Sequence, residues 1–495
     1  MNFTQIQKGS TMKMKQLSLA CGLALTALGA QAVTYDAVVG GSSALEPAFK
    51  KAAADMCLTG GSVYVSTNGV NGAGATGTTV VCTVAAPIAP VVAGDTLRIF
   101  KNSSGSGAGI TNINTGANLQ VPDGVSATCV ADTVTPQELA PGKFFTAWKD
   151  CKTTPKPALI GIADVEPKLL AAVGGVTNAN ALAVTAAPLV AVGFGVPLND
   201  KLYYTLQQAQ IAKGMMDSSC VASVANANGG PTDLSQACAP SISSAWLRGM
   251  LTGVATDWGV AGADVSTALA ANAVLTNVKV CRRGATSGTQ ATFAARVAGT
   301  SCSTAPYTFL DNTGDNNPNN NGGTGTALGF NGYVGSTLGN YTVVINADST
   351  AVKNCLQTAD TNNDGSGNAD AALGLLGLDQ QPDGSSRWHF AKIDGVFPSN
   401  DNLVDGIYDN LFSESVITYK TTSGKPTGFA GQVYDTLKAS MGSPATINSL
   451  TLNGLGAIPS VDLGYLWAEA KQWGTNPVMS GTRSGDTCRD ARSSF

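Results

Sequence analysis

Arg283, Ser287, Gly288 and Thr289 fall within one short stretch, Cys281 to Gln290. Together they hold what a buried tetrahedral oxyanion needs. A guanidinium offers a planar fork of charged donors that meets two oxygens at once. The two hydroxyls add donors, and the glycine lets backbone approach closely. Gln290 to Val297 reads as helix, so the stretch also supplies the free N–H groups and positive dipole end of a helix start. The same residue types make an ordinary N-capped helix behind a basic strand end. The stretch alone leaves both readings open.

Other candidate chemistry is thinner. His389, the one histidine, sits among aromatics in Arg387-Trp388-His389-Phe390 and reads as structural. A multi-histidine metal site is excluded, and no Gly-x-Ser-x-Gly elbow accompanies the histidine for a Ser-His-Asp hydrolase. Asp360, Asn362, Asp364 and Gly365 match the front of a calcium loop, but position twelve is Ala371. Without the bidentate ligand a solvated turn is the better reading. Nothing in the spacing of the 33 carboxylates singles out a glycosidase pair. No cofactor or metal is expected.

A chain of 495 residues needs two or three cores. Apolar residues make up 43% and charged residues only 13%, with Gly, Ala, Thr, Asn and Ser abundant, a mix that suits an exported protein with long polar loops. Lys13 and Lys15 precede an apolar run from Leu17 to Leu28, and Ala30-Gln31-Ala32 fits a cleavage site. Residues 1–32 are therefore expected to be a signal peptide, cut after Ala32, with the product periplasmic or secreted. Removing them leaves 26 basic against 33 acidic residues, a net charge of −7. An acidic protein binds an anion only through a local site, and nucleic acid is not an expected partner.

Ten cysteines remain after that cut, an even number that reads as up to five disulfides. Sequence proximity suggests Cys57–Cys82, Cys129–Cys151, Cys220–Cys238 and Cys281–Cys302, which leaves Cys355–Cys488. No Cys-x-x-Cys occurs, which argues against zinc or dithiol chemistry.

The elements that must position Arg283 read as α/β units. Ala37 to Gly41 is a short buried strand running into a Gly-Ser loop and a helix from Glu46 to Met56. Ala158 to Ala163 repeats the pattern before Asp164, and Val278 to Val280 feed the arginine loop in the same way. Ala187 to Val196 is almost wholly apolar, a central strand or a segment crossing between domains. Residues 59–135, rich in Gly, Thr, Ser and Val, look like a β-rich, disulfide-tied insertion. Asp311 to Gly325 is a polar loop.

In order, several segments resemble the phosphate-binding protein of the bacterial phosphate ABC importer, a type II periplasmic binding protein. Val39 to Phe49 is similar to the family's first loop and helix. Gly161 to Pro167 resembles the loop with its ligand-binding aspartate, and Pro188 to Pro197 its crossing strand. Ala245 to Gly253, followed by Asp257-Trp258, resembles its glycine-tryptophan segment. Arg283 to Phe293 fits its arginine and Ser-Gly-Thr motif, and Phe390 to Gly395 through Tyr419 its return to the first lobe. The match covers most of the mature chain, with large insertions.

The resemblance implies a two-lobed α/β fold joined by two crossing hinge strands; the β-rich, Cys-containing insertion in the first lobe, at about 59–157, departs from the family. Residues 33–190 and 415–495 would form the first lobe and 191–414 the second. It implies a non-enzymatic, monomeric solute-binding protein that captures phosphate or a similar oxyanion, and an ABC permease in the inner membrane as partner. Carried over residue by residue, Ser43 supplies a hydroxyl and Ala44 a backbone N–H. Ser104 or Ser106 is the second serine, Asp164 the acceptor carboxylate, and Arg283, Ser287, Gly288 and Thr289 the clamp. Phosphate keeps a proton at neutral pH and sulfate does not, so a buried acceptor carboxylate favours phosphate by ~10³-fold or more. Ala285 stands where the family usually has an aspartate paired with the arginine. A secreted phosphomonoesterase-like relative of this fold, or an extracellular structural or adhesive protein that lost the ligand, are the alternatives.

Overall fold

The computed structural model describes residues 33–67, 69–72, 75–84, 91, 93–132, 136–220, 233–302, 341–361, 368–408, 411–450, 454–458, 478, 481–482 and 492–493. The expected leader, the polar loop at 311–325 and Cys488 lie outside these residues. The protein is a two-lobed α/β structure built on a large mixed sheet and a separate five-stranded sheet.

Three parallel strands form the working part of the first lobe. β1 (Thr34–Gly41) lies between β4 (Thr96–Asn102) and β6 (Ile160–Ala163). Gly40 is in register with both Asn102 and Gly161, so the carboxyl ends of all three strands come out along one edge. Each strand then enters a helix: α1 (Glu46–Asp55), α2 (Ala108–Thr115) and α3 (Pro167–Ala172). This is the edge of an open α/β sheet where ligands bind. α2 lies almost directly on the sheet backbone. A Cβ at Gly161 would come within 1.9 Å of the Gly109 carbonyl oxygen, so only glycine permits this approach.

The β-rich segment extends this sheet. β2 (Cys57–Ser66) and β3 (Gly77–Val84) pair antiparallel, β3 pairs with β4, and β2 runs parallel to β5 (Lys143–Lys149). The residues between 59 and 157 also include β4 and α2, so they are continuous with the lobe.

β7 (Val184–Gly195) is buried over its last seven residues, as an apolar central strand should be. It pairs antiparallel along most of its length with β14 (Phe412–Lys420). The chain passes from β7 through β8 (Pro197–Asn199) into the five-stranded sheet and returns through β14. In that second sheet β9 (Val274–Arg283) runs parallel to β10 (Thr342–Asn346) and β11 (Ala369–Gly374), while β8 pairs antiparallel with β11 and β13 (Trp388–Phe390). β12 (Leu376–Gly377) then returns to pair with β7 at Phe194 and Gly195. β9 and β10 finish together, Arg283 opposite Asn346, before α6 (Gly288–Arg296) and α7 (Ser349–Asp360).

Three expected disulfides are present: Cys57–Cys82, Cys129–Cys151 and Cys220–Cys238. The fourth corrects the proximity pairing, because Cys281 joins Cys355 instead of Cys302. α7 packs against β9, and that tertiary contact brings Cys355 within a Cα–Cα distance of 5.9 Å of Cys281. Cys355–Cys488 is thereby excluded, and Cys302 is disulfide-bonded as well. These bonds fit an oxidising compartment. Among the described residues, no helix is long and apolar enough to cross a membrane.

Of the calcium-loop match, Asn362, Asp364 and Gly365 lie outside the described residues. Asp360 is buried at the end of α7, where it accepts from the Lys201 backbone N–H at 2.8 Å and Asn199 Nδ2 at 3.3 Å. The accepting oxygen, Oδ1, anchors the start of the helix at Asp200–Ala212, while Oδ2 lies 3.7 Å from Arg387 Nη1 and has no hydrogen-bond partner among the described residues. His389 is likewise structural: its Nδ1 lies 2.8 Å from Asp200.

Candidate functional site

The strand ends of the two lobes face each other. Gly107 N–H, in the loop before α2, donates to the Thr286 carbonyl before α6 at 2.9 Å, linking the lobes. A Cβ at Gly288 would lie 2.5 Å from both Asp164 Cβ and Ser106 Oγ. Gly288 therefore seats the start of α6 directly on the first lobe's aspartate and serine, and no larger residue fits.

Asp164 is held on three sides. One carboxylate oxygen, Oδ1, accepts from Ser42 Oγ, the backbone N–H donates to Ser106 Oγ at 2.9 Å, and the backbone carbonyl accepts from Ser413 Oγ on β14. Burial pushes its carboxyl above the ordinary value, while Ser42, Arg283, Ser106 and Lys101 pull it back.

Arg283 closes the other side. It is only 4% exposed, and its Nε has no hydrogen-bond partner among the described residues. Its Nη1 reaches Ser349 Oγ at 3.4 Å. A buried guanidinium with donors to spare is costly unless acceptors meet it. Burial pulls its pKa below the ordinary arginine value; Asp348, then Asp164 and Asp379, push it back up. Ala285 leaves the neighbouring counter-charge missing, and Asp348, between β10 and α7, is the carboxylate that acts most strongly on the arginine.

The remaining sequence candidates divide. Ser287 is buried and occupies the N-cap of α6, yet its side chain makes no cap hydrogen bond. The hydroxyl is thus not spent on the bland role that its position suggested. Thr289 is buried in the first turn. Ser106 is fully buried beside Asp164, whereas Ser104 is exposed and donates to Asn102 Oδ1. Of the two serines, Ser106 is the one hydrogen-bonded to Asp164. Ser43 and Ala44 lie in the turn before α1; Ser43 is half-buried and Ala44 buried.

Sequence reasoning missed Ser42, Asp348, Asp379 and Lys101. Lys101 is fully buried beneath the first loop, where Nζ donates to the Ser42 carbonyl at 2.6 Å, Glu46 Oε2 at 2.8 Å and Ser103 Oγ at 2.7 Å. This pair holds the Glu46 carboxyl down to about 2 against burial, which alone would raise it. A Lys two residues before the serine loop, with Glu at the helix start, was the available signal.

No protein-family model and no curated protein sequence matches this chain. Among solved structures it is similar to PstS from Borrelia burgdorferi, at 9% identity and a TM-score of 0.31, over 86% of this chain and 99% of that one. It is also similar to a possible phosphate binding protein from Planctomyces limnophilus, at 10% identity and a TM-score of 0.34, over 90% and 100% of the two chains. At these values the likeness adds no weight to the geometry.

Proposed function

We propose that this protein is an exported, monomeric solute-binding protein that encloses phosphate, or a similar tetrahedral oxyanion, between its lobes for ABC-type uptake. It binds without turning its ligand over. The observation that carries the reading is Arg283, buried with donors to spare and facing a buried carboxylate, Asp164, across the lobe junction. An anion that carries its own proton matches both groups: its oxygens accept from the guanidinium, and its hydroxyl donates to Asp164. Ser42 and Ser106 fix the aspartate, and Ser287, Thr289 and the turn at Ser43–Ala44 supply further donors. Sulfate offers Asp164 no proton and leaves two negative charges in contact.

Calorimetric titration with inorganic phosphate, with sulfate as control, tests this. Phosphate should bind, sulfate should bind at least ~10³-fold more weakly, and Arg283→Ala should weaken phosphate by on the order of 10²-fold or more. No binding to wild type, or undiminished affinity in Arg283→Ala, would refute it.

A further inference from the structure

Asp379 follows β12, beside the crossing strands. Its side chain turns back over Gly377: a Cβ at that glycine would lie 2.3 Å from Asp379 Oδ1 and 3.7 Å from Ala44 Cβ. Gly377 thus brings the carboxylate up to the turn before α1, the turn whose Ser42 donates to Asp164. Its other oxygen accepts from Gln380 Nε2. Asp164 from the end of β6, Arg283 from the end of β9 and Lys353 on α7 are the charged groups that act on it or that it acts on.

We propose that Asp379 is a second carboxylate of the oxyanion site and that it makes phosphate binding take up one proton. This rests on the phosphate reading. Asp164 and Asp379 both act on the charge of Arg283, and with a bound anion three negative groups would share that one arginine and would not all stay ionised. The single proton of the phosphate dianion is used on Asp164. A second proton, drawn from solvent, must then be shared between the ligand and Asp379, either as an acid donating to the dianion or as a carboxylate accepting from the monoanion. The proton count is the same in both descriptions. Burial, foremost, and the charge of Asp164 push the Asp379 carboxyl up to about 7, so this proton is accessible near neutrality.

The consequence is a site that reads its ligand's protonation. Above neutrality, where free Asp379 and free phosphate have both lost the proton, affinity should fall about tenfold per pH unit. With Asp164 as the sole acceptor it would be flat there. The test is calorimetry of inorganic phosphate binding from neutral pH to about pH 9, in buffers of different ionisation enthalpy. Wild type should take up one proton at the alkaline end, Asp379→Asn none, and Asp379→Glu should restore the uptake. Zero uptake by wild type, or full uptake by Asp379→Asn, overturns the proposal; should the Asn variant not fold, Asp379→Ala takes its place, with full uptake again overturning the proposal. Phosphate binding that is lost in Arg283→Ala but carries no proton uptake would refute this inference alone. No phosphate binding at any pH would refute the phosphate reading and this inference with it.

Discussion

Ser42 and Ser104 show how much one position matters in a loop. The first-loop hydroxyl that meets Asp164 belongs to Ser42, next to the residue the sequence pattern points to, and the second belongs to Ser106. Repeated serines and glycines leave such a register open until the backbone is placed. Asp348 and Asp379 were illegible for a different reason: their meaning lies in Arg283, which the chain brings near only through the second sheet and the crossing strands. Arg283, Ser287, Gly288 and Thr289 stand out in the sequence because a strand end, a charged fork and a helix start are contiguous. Two substitutions separate these serines. Ser42→Ala removes a hydrogen bond to a buried carboxylate, and phosphate affinity should drop by about tenfold or more. Ser104→Ala, at an exposed hydroxyl, should leave affinity within twofold, since exposed changes cost about 0.5 kcal/mol or less. Parallel calorimetry of the two variants checks both.

At the scale of elements, the strand–loop–helix units were readable from apolar runs followed by Gly and Ser, and the disulfide from β9 to α7 was not. Proximity in sequence favoured Cys302, but a helix laid across a sheet outranks it. Replacing Cys281 and Cys355 by serine should destabilise the protein by about 2–5 kcal/mol, read as a lower denaturant midpoint. Asp360 gives a pH signature. Burial foremost raises its carboxyl to about 6 from an ordinary 3.8. The folded state therefore holds this proton where the unfolded chain has lost it. The contribution is present in full below about pH 4 and disappears as pH rises through about 6. Urea melts across that window should show a smaller fall in stability with rising pH for Asp360→Asn than for wild type.

Across the whole molecule, the seat of α6 on the first lobe would couple closure to the proposed binding. Gly288→Ala places a methyl group where Asp164 and Ser106 already are, and those atoms belong to the opposite lobe. Each lobe should fold as before, while closure is wedged open. The expected result is a melting temperature close to wild type, phosphate affinity reduced by about tenfold or more, and no ligand-induced contraction in small-angle scattering where wild type contracts. The two-lobed plan was legible from the order of the α/β units and the apolar crossing strand. The continuity of residues 59–157 with the first sheet was not, because a Gly- and Thr-rich strand carries little sign of its neighbours.

The Cys281–Cys355 bond closes a loop of chain that contains both Arg283 and Asp348. A protease that nicks the backbone anywhere between those cysteines leaves two polypeptides still joined through this disulfide. Such a nicked molecule should migrate as a single species until reductant is added. It should still present the arginine beside its counter-charge, so that integrity of the peptide backbone and integrity of the clamp become separately measurable.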